Sequence, residues 1–254
     1  MTVDIKRVQA RLLEMAKILT EILENNDIPY MISFGTLLGA VRHNGFIPWD
    51  DDFDICLFEE DYKKAIDTLK TKIPADLILE DIETEPNHYH SWNRVKCKNT
   101  ITHSKIYPFE NIYKNKGLQI DLFKLKKLRK NEVKTNRIKE NISYLKKIRN
   151  INLINNEEYS KKIKKLKYQL YYEKNKNRKH KKHQEYVYDT ILSPKTIKSN
   201  EIFPLKKYKF ENIQLFGPNQ FHPILVKTYG DYMSIPEEGK RKIHYEYVSF
   251  KNEK

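Results

Sequence analysis

Two cysteines in 254 residues, Cys56 and Cys97, are too few for a disulfide framework or a four-cysteine zinc site. Both sit among strand-like residues, where a small buried hydrophobe is expected. No apolar run approaches the ~20 residues a membrane span needs, and the opening MTVDIKRVQARLLEMAK lacks the apolar block of a secretion signal. A soluble, cytoplasmic protein is therefore expected. There is no internal repeat of fixed period. The length suits one large domain, or a domain with an appendage, and is ample for a real core.

Acidic residues are scarce in one segment. From Lys124 to Lys182 there are 22 Lys and Arg against 5 Glu, a balance of +17 within a net charge of +14, which leaves −3 for the rest. The chain is a near-neutral body carrying one basic segment. Apolar residues there (Ile138, Ile142, Leu145, Ile148, then Ile163, Leu166 and Leu170) recur at roughly helical intervals, which predicts one or two basic amphipathic helices. The segment reads either as a solvated hairpin whose lysines keep it soluble, or as a peripheral contact for an anionic membrane or for an acidic glycan or lipid carrying the substrate. Nucleic acid is the least favoured partner, since basic charge alone binds phosphate without sequence information.

Elsewhere, Ile5, Val8, Leu12, Met15, Leu19 and Ile22 mark one face of a helix over residues 4–25, which NND and Pro29 stop. YMIS reads as a short strand, LLGAVRH as a helix and DFDICLF as a second strand. A helix over EDYKKAIDTLKTKI and strands at LILEDI, SWNRVKCK and GLQIDLFKL follow. The expected class is α+β, a mixed sheet with flanking helices and a basic helical segment. Residues 1–125 would form the core, 126–190 the basic segment, and 191–254 a region packing back on the core.

The stretch FGTLLGAVRHNGFIPWDDDFDI, Phe34 to Ile55, holds Asp50, Asp51, Asp52 and Asp54 between Trp49, Phe53 and Ile55. Unscreened carboxylates a few ångströms apart repel strongly, and a cation is the natural remedy. On a strand Asp52 and Asp54 share one face while Phe53 and Ile55 anchor the other. Oxygen ligands so spaced suit Mg²⁺ or Mn²⁺. In QIDLF the alternation recurs around Asp121, a candidate third carboxylate on a neighbouring strand. The bland alternative is an Asp-rich surface turn or a helix N-cap, but turns rarely alternate Asp with Phe and Ile. Upstream, Gly35 permits close backbone approach at a helix start, where the Thr36 hydroxyl and the first N–H groups could hold a phosphate.

The string GTLLGAVRHNGFIPWDDDFDI closely resembles the signature of the LicD family, which transfers phosphocholine and related phospho-alcohols from CDP-linked donors to sugars and includes fukutin-like relatives. QIDLF resembles that family's later strand, without its proline. YGDYMSIPEEGKRKIHY resembles its C-terminal element, with Ile235 in place of a proline. The resemblance implies a nucleotidyltransferase-like core in which Asp52, Asp54 and Asp121 are the catalytic metal carboxylates. It implies donor or acceptor contacts near Gly35, Thr36, Arg42, His43, Trp49 and Asp51. Arg42 could equally pair with an aspartate, Asp50 and Asp51 could be solvent-facing loop acids, and Trp49 could simply close the loop over the core. Zinc is not expected, because HYH and His103 have no matching cysteine cluster. The implied reaction is Mg²⁺-dependent transfer, from a donor such as CDP-choline to a hydroxyl of a cell-surface glycan (lipopolysaccharide, teichoic acid or capsule) or its lipid-linked precursor, with release of CMP. Asp121 would take the acceptor's proton. The alternatives are a nucleotidyltransferase acting on RNA or a small molecule, and a non-catalytic basic adaptor.

Overall fold

The structure, a computed structural model, describes residues 3–104, 112–129, 132–175, 184–188 and 196–251. The end of the expected basic segment, residues 176–183, lies outside the described residues. The first helix, α1 (Ile5–Glu24), starts at Asp4, whose side chain accepts from the Arg7 N–H. Its buried face carries Val8, Leu12, Met15, Ala16, Leu19 and Leu23, all 0 % exposed. At ~1.5–3 kcal/mol for each large apolar side chain, this burial dominates the helix's attachment to the sheet. The chain then passes through β1 (Tyr30–Ile32), α2 (Phe34–His43), β2 (Asp54–Phe58), α3 (Glu59–Lys72), β3 (Leu77–Glu80), β4 (Asn93–Cys97), β5 (Thr100–Ser104) and β6 (Gln119–Arg129).

Strands β1, β2, β6, β4 and β3 lie side by side in that order, with β2 and β6 parallel and the other pairs antiparallel. The far end of β6 pairs with β7 (Gln184–Tyr188), which pairs with β8 (Thr196–Lys198). This is the expected α+β class with a mixed sheet and flanking helices. The core sheet takes strands from beyond residue 125: β6 runs on to Arg129, and β7 comes from within 126–190. Both cysteines are buried and free.

The basic segment forms an antiparallel hairpin of α4 (Val133–Asn150) and α5 (Asn156–Asn175). Leu145, Ile148 and Ile163 close a small second cluster with Tyr89 and Tyr113. After β8 come α6 (Ser199–Ile202), the hairpin β9 (Lys206–Phe210) and β10 (Ile213–Gly217), α7 (Phe221–Tyr229) and β11 (Tyr245–Phe250), which pairs with β5. That last pairing returns the C-terminal region to the aspartate cluster. No helix among the described residues is long and apolar enough to cross a membrane.

Candidate active site

Strand register builds the site. Asp54 is paired with Asp121 across β2 and β6, Asp121 with Arg94 across β6 and β4, and Arg94 with Glu80 across β4 and β3. Residues at facing register positions share a sheet face, so four charged side chains cross the sheet in one row. All four are buried. Arg94 Nε lies 3.3 Å from Asp121 Oδ1, and its Nη1 lies 3.7 Å from Glu80 Oε1. Lys96 Nζ and His88 Nδ1 also meet Glu80, at 2.7 and 3.1 Å. Burial alone would raise the Glu80 carboxyl, but His88, Lys96 and Arg94 hold it down at about 2. One end of the row is therefore charge-compensated.

The other end is not. Asp50, Asp52 and Asp54 line a pocket of about 590 Å³. Burial pushes Asp50 and Asp54 well above the usual carboxylate range, and charge from neighbouring aspartates adds to it: Asp52 and Asp51 act on Asp50, and Asp52, Asp121 and Asp50 act on Asp54. Burial also raises Asp52, with His244 opposing. The Gly35 backbone N–H, in the first turn of α2, donates to Asp54 and offsets part of its cost. A Cβ added to Gly35 would stand 2.7 Å from Asp50 Oδ2, so glycine is what lets this carboxylate approach the helix.

Phe53 and Ile55, both 0 % exposed, anchor the motif from the core side. The acids are thus neither a surface turn nor a helix cap. Helix α2 starts at Phe34, ahead of the LLGAVRH run, so Gly35 and Thr36 lie in its first turn. Thr36 Oγ1 accepts from the Asp54 N–H at 2.9 Å, which ties the helix to β2.

Arg42 lines the pocket without pairing to an aspartate: its Nη1 donates to the carbonyls of Tyr232 and Ser234 at 2.6 and 3.2 Å. Its Nε donates to His43 Nε2, and burial followed by the Arg42 charge lowers the His43 pKa. Asp51 is fully buried and outside the pocket lining. It accepts from the backbone N–H groups of His244 and Tyr245 and from His244 Nδ1, at 2.7–3.0 Å. Trp49 packs against the core and also lines the pocket, with the Arg241 guanidinium 4.4 Å over its ring. Asp121 stands one strand behind Asp54 and is not in the pocket wall.

Residues 229–244 complete the lining, among them Tyr229, Tyr232, Ser234, Lys240, Arg241, Lys242 and His244. His244 Nε2 lies 3.4 Å from Asp52 Oδ2. Burial would lower this imidazole, but the Asp51 hydrogen bond and the charges of Asp52, Asp51 and Asp50 push it up to about 9. The pocket therefore sets an acidic floor against a basic rim. The C-terminal element YGDYMSIPEEGKRKIHY contains His244, but nothing local assigns this residue a role, because its partner Asp51 is 193 residues away.

These residues fit a divalent cation. Asp50, Asp51 and His244 bring one ligand atom each to within 4.8 Å of one another. Both Asp51 oxygens already accept N–H groups, so Asp50, Asp52 and Asp54 are the carboxylates left facing the pocket. Three acids in one pocket, raised first by burial and, for Asp50 and Asp54, further by neighbouring carboxylates, are what a hard cation would relieve.

Residues 27–137 match the family model described as LicD/FKTN/FKRP, nucleotidyltransferase domain. Over 238 residues the chain is 28 % identical to the lipopolysaccharide cholinephosphotransferase LicD of Haemophilus influenzae, covering 87 % of this chain and 88 % of that protein. Shorter matches reach the mouse ribitol-5-phosphate transferase FKTN, 35 % identical over 65 residues, covering 26 % of this chain and 14 % of that one. They also reach mouse ribitol 5-phosphate transferase FKRP, 42 % identical over 48 residues, covering 19 % and 10 %.

Proposed function

Because residues 27–137 match the LicD/FKTN/FKRP nucleotidyltransferase domain, we propose that this protein transfers a phospho-alcohol, phosphocholine or a close analogue, from a CDP-activated donor to a glycan hydroxyl, releasing CMP. The acceptor is a cell-surface glycan such as lipopolysaccharide, teichoic acid or capsule, or its lipid-linked precursor. Lipopolysaccharide heads that list, through the name of the full-length bacterial relative. The observation that carries the reading is that Asp50, Asp52 and Asp54 line one pocket together with Lys240, Arg241 and Lys242.

A bound Mg²⁺ or Mn²⁺, held by Asp52 and Asp54 with Asp50 or Asp121 beside them, would neutralise the oxygens of the donor's pyrophosphate. The chain's own groups supply the rest. Lys240, Arg241 and Lys242 give the pocket a positive rim that attracts a doubly charged donor. The α2 N-terminus places backbone N–H groups beside the acids, where a phosphate oxygen can be accepted. Arg42 holds the turn at residues 232–234 in place as part of the pocket wall, through contacts to the carbonyls of Tyr232 and Ser234.

The acceptor oxygen attacks the phosphorus bearing the alcohol, a new P–O bond forms, and the bond to CMP breaks. The proton leaves to Asp50, the pocket-facing carboxylate outside the Asp52 and Asp54 pair. Asp121, braced by Arg94, acts one strand back by adding negative charge behind Asp54.

The test is to incubate the purified chain with Mg²⁺, a glycan acceptor and a panel of CDP-linked alcohols, and to measure CMP. Release with one donor, abolished in Asp54→Asn, is the expected result. No release with any CDP-alcohol, alongside turnover of a nucleoside triphosphate, would replace this reading with nucleotidyl transfer.

A further inference from the structure

Tyr168, Tyr171 and Tyr172 are 71, 69 and 57 % exposed, three large aromatics bared within five residues of α5. Their helix is otherwise conventionally packed, with Ile163 buried and Leu166 against it in the cluster shared with α4. The opposite side of α5 is ordered in a different way. Lys164, Lys165 and Tyr168 fall three, four and seven residues from Lys161, which places the four in one outward stripe, with Tyr171 on one flank and Tyr172, at the rim of a pocket shared with α4, on the other.

The stripe is also electrostatically open. Lys162, to one side, is paired with Glu158. Lys161, Lys164 and Lys165 are exposed and make no ion pair among the described residues. Residues 176–182 add Lys176, Arg178, Lys179, Lys181 and Lys182 to the sequence immediately after the helix, with no acid among them. A merely solvated face needs lysines but has no use for three bared tyrosine rings.

We propose that this face of α5 docks on an anionic lipid bilayer, with the lysines at the headgroup phosphates and the tyrosines in the interfacial layer. Charge complementarity names the occupant: unpaired lysines in a row attract a surface of negative headgroups. Tyrosine fits the same boundary, since its ring is apolar and its hydroxyl stays wet. The stripe is the convex outer side of one helix and faces a plane well. A single nucleic-acid strand is instead held in a positively charged groove with stacking platforms, which a convex stripe does not provide. Docking here is independent of the proposed reaction, because it needs neither donor nor acceptor.

The test is co-sedimentation of the full chain with vesicles of phosphatidylcholine alone or with phosphatidylglycerol added. Wild type is compared with Lys161→Gln/Lys164→Gln/Lys165→Gln and with Tyr168→Ser/Tyr171→Ser/Tyr172→Ser. All six side chains are at the surface, and circular dichroism confirms that the variants fold. Wild type binds the phosphatidylglycerol vesicles and not the neutral ones. The lysine variant binds them roughly a hundredfold more weakly, as three interfacial lysines require, and the tyrosine variant at least tenfold more weakly. Half-molar salt reproduces the lysine effect. Failure of wild type to bind the anionic vesicles overturns the proposal. So does equal binding by both variants, or loss of single-stranded RNA binding or of self-association in the variants with vesicle binding unchanged. None of these outcomes changes CMP release from the donor in the presence of a soluble acceptor, so the docking and the reaction fail separately.

Discussion

Asp54 and Asp121 stand at the same register position of the parallel pair β2 and β6, and the Asp121 N–H donates to the Phe53 carbonyl at 2.9 Å. The backbone thus forces two carboxylates side by side. Their repulsion is a cost in the metal-free protein and an asset once a cation is bound. Asp54→Asn is therefore expected to lower turnover at least a hundredfold while leaving the metal-free fold as stable or more stable. Paired kinetics and urea unfolding check this. A large loss of stability with normal turnover would contradict it.

Arg94 behaves in the opposite way. It is 0 % exposed and lies between Asp121 and Glu80, so Arg94→Met leaves both carboxylates short of their cation. Removing one partner of a buried ion pair costs about 3–5 kcal/mol. Urea unfolding of Arg94→Met should show a loss of that order, larger than the loss in Asp121→Asn, where relief of the repulsion with Asp54 offsets part of the broken pair.

The pH dependence follows from groups that all shift in one direction. The folded pKa of His244, about 9, lies above its ordinary 6.5. Its stabilisation is complete below pH 6.5 and is lost as pH rises through 9, a change on the order of 3 kcal/mol. Asp50, Asp52 and Asp54 are also raised, and they too favour the fold at low pH, where they are protonated. The metal-free protein should lose stability from pH 6 to pH 9, and Mg²⁺ should restore more of it at pH 9 than at pH 6. Denaturation curves in EDTA and in Mg²⁺ measure both. Stability that rises with pH in EDTA would refute the assignment.

Gly35→Ala separates catalysis from folding. Alanine suits a helix better than glycine by about 1 kcal/mol, but the new Cβ would meet Asp50 Oδ2 at 2.7 Å. The carboxylate must move. Thermal stability should change by no more than about 1 kcal/mol in either direction, while turnover falls at least tenfold, read from a melting curve and a CMP assay on the same sample.

Much of this was legible in the sequence where local pattern and local structure coincide. The spacing of Val8, Leu12, Met15 and Leu19 announces α1, and alternation places Asp54 and Asp121 on strands, whereas Asp52, expected on the same strand as Asp54, lies in the loop two residues ahead of β2. The spacing of Ile138, Leu145, Ile148 and Ile163 announces the hairpin. What escaped depends on long-range pairing. Strand β5 pairs with β11 from the far end of the chain, and THS offers no apolar alternation to mark it. The role of Asp51 is set by His244 and Tyr245, 193 and 194 residues away. The Thr36 hydroxyl oxygen accepts from the Asp54 N–H, a tie between α2 and β2 that exists only once the two elements meet in the folded sheet.

The central claim is tested most directly by finding where the donor's two phosphorus atoms go. With a CDP-alcohol labelled at the alcohol-bearing phosphorus, a glycan acceptor and Mg²⁺, the products are separated and weighed by mass spectrometry. The account predicts labelled phospho-alcohol on the glycan and unlabelled CMP in solution, both absent for Asp52→Asn. CMP on the glycan with labelled phospho-alcohol in solution would contradict it.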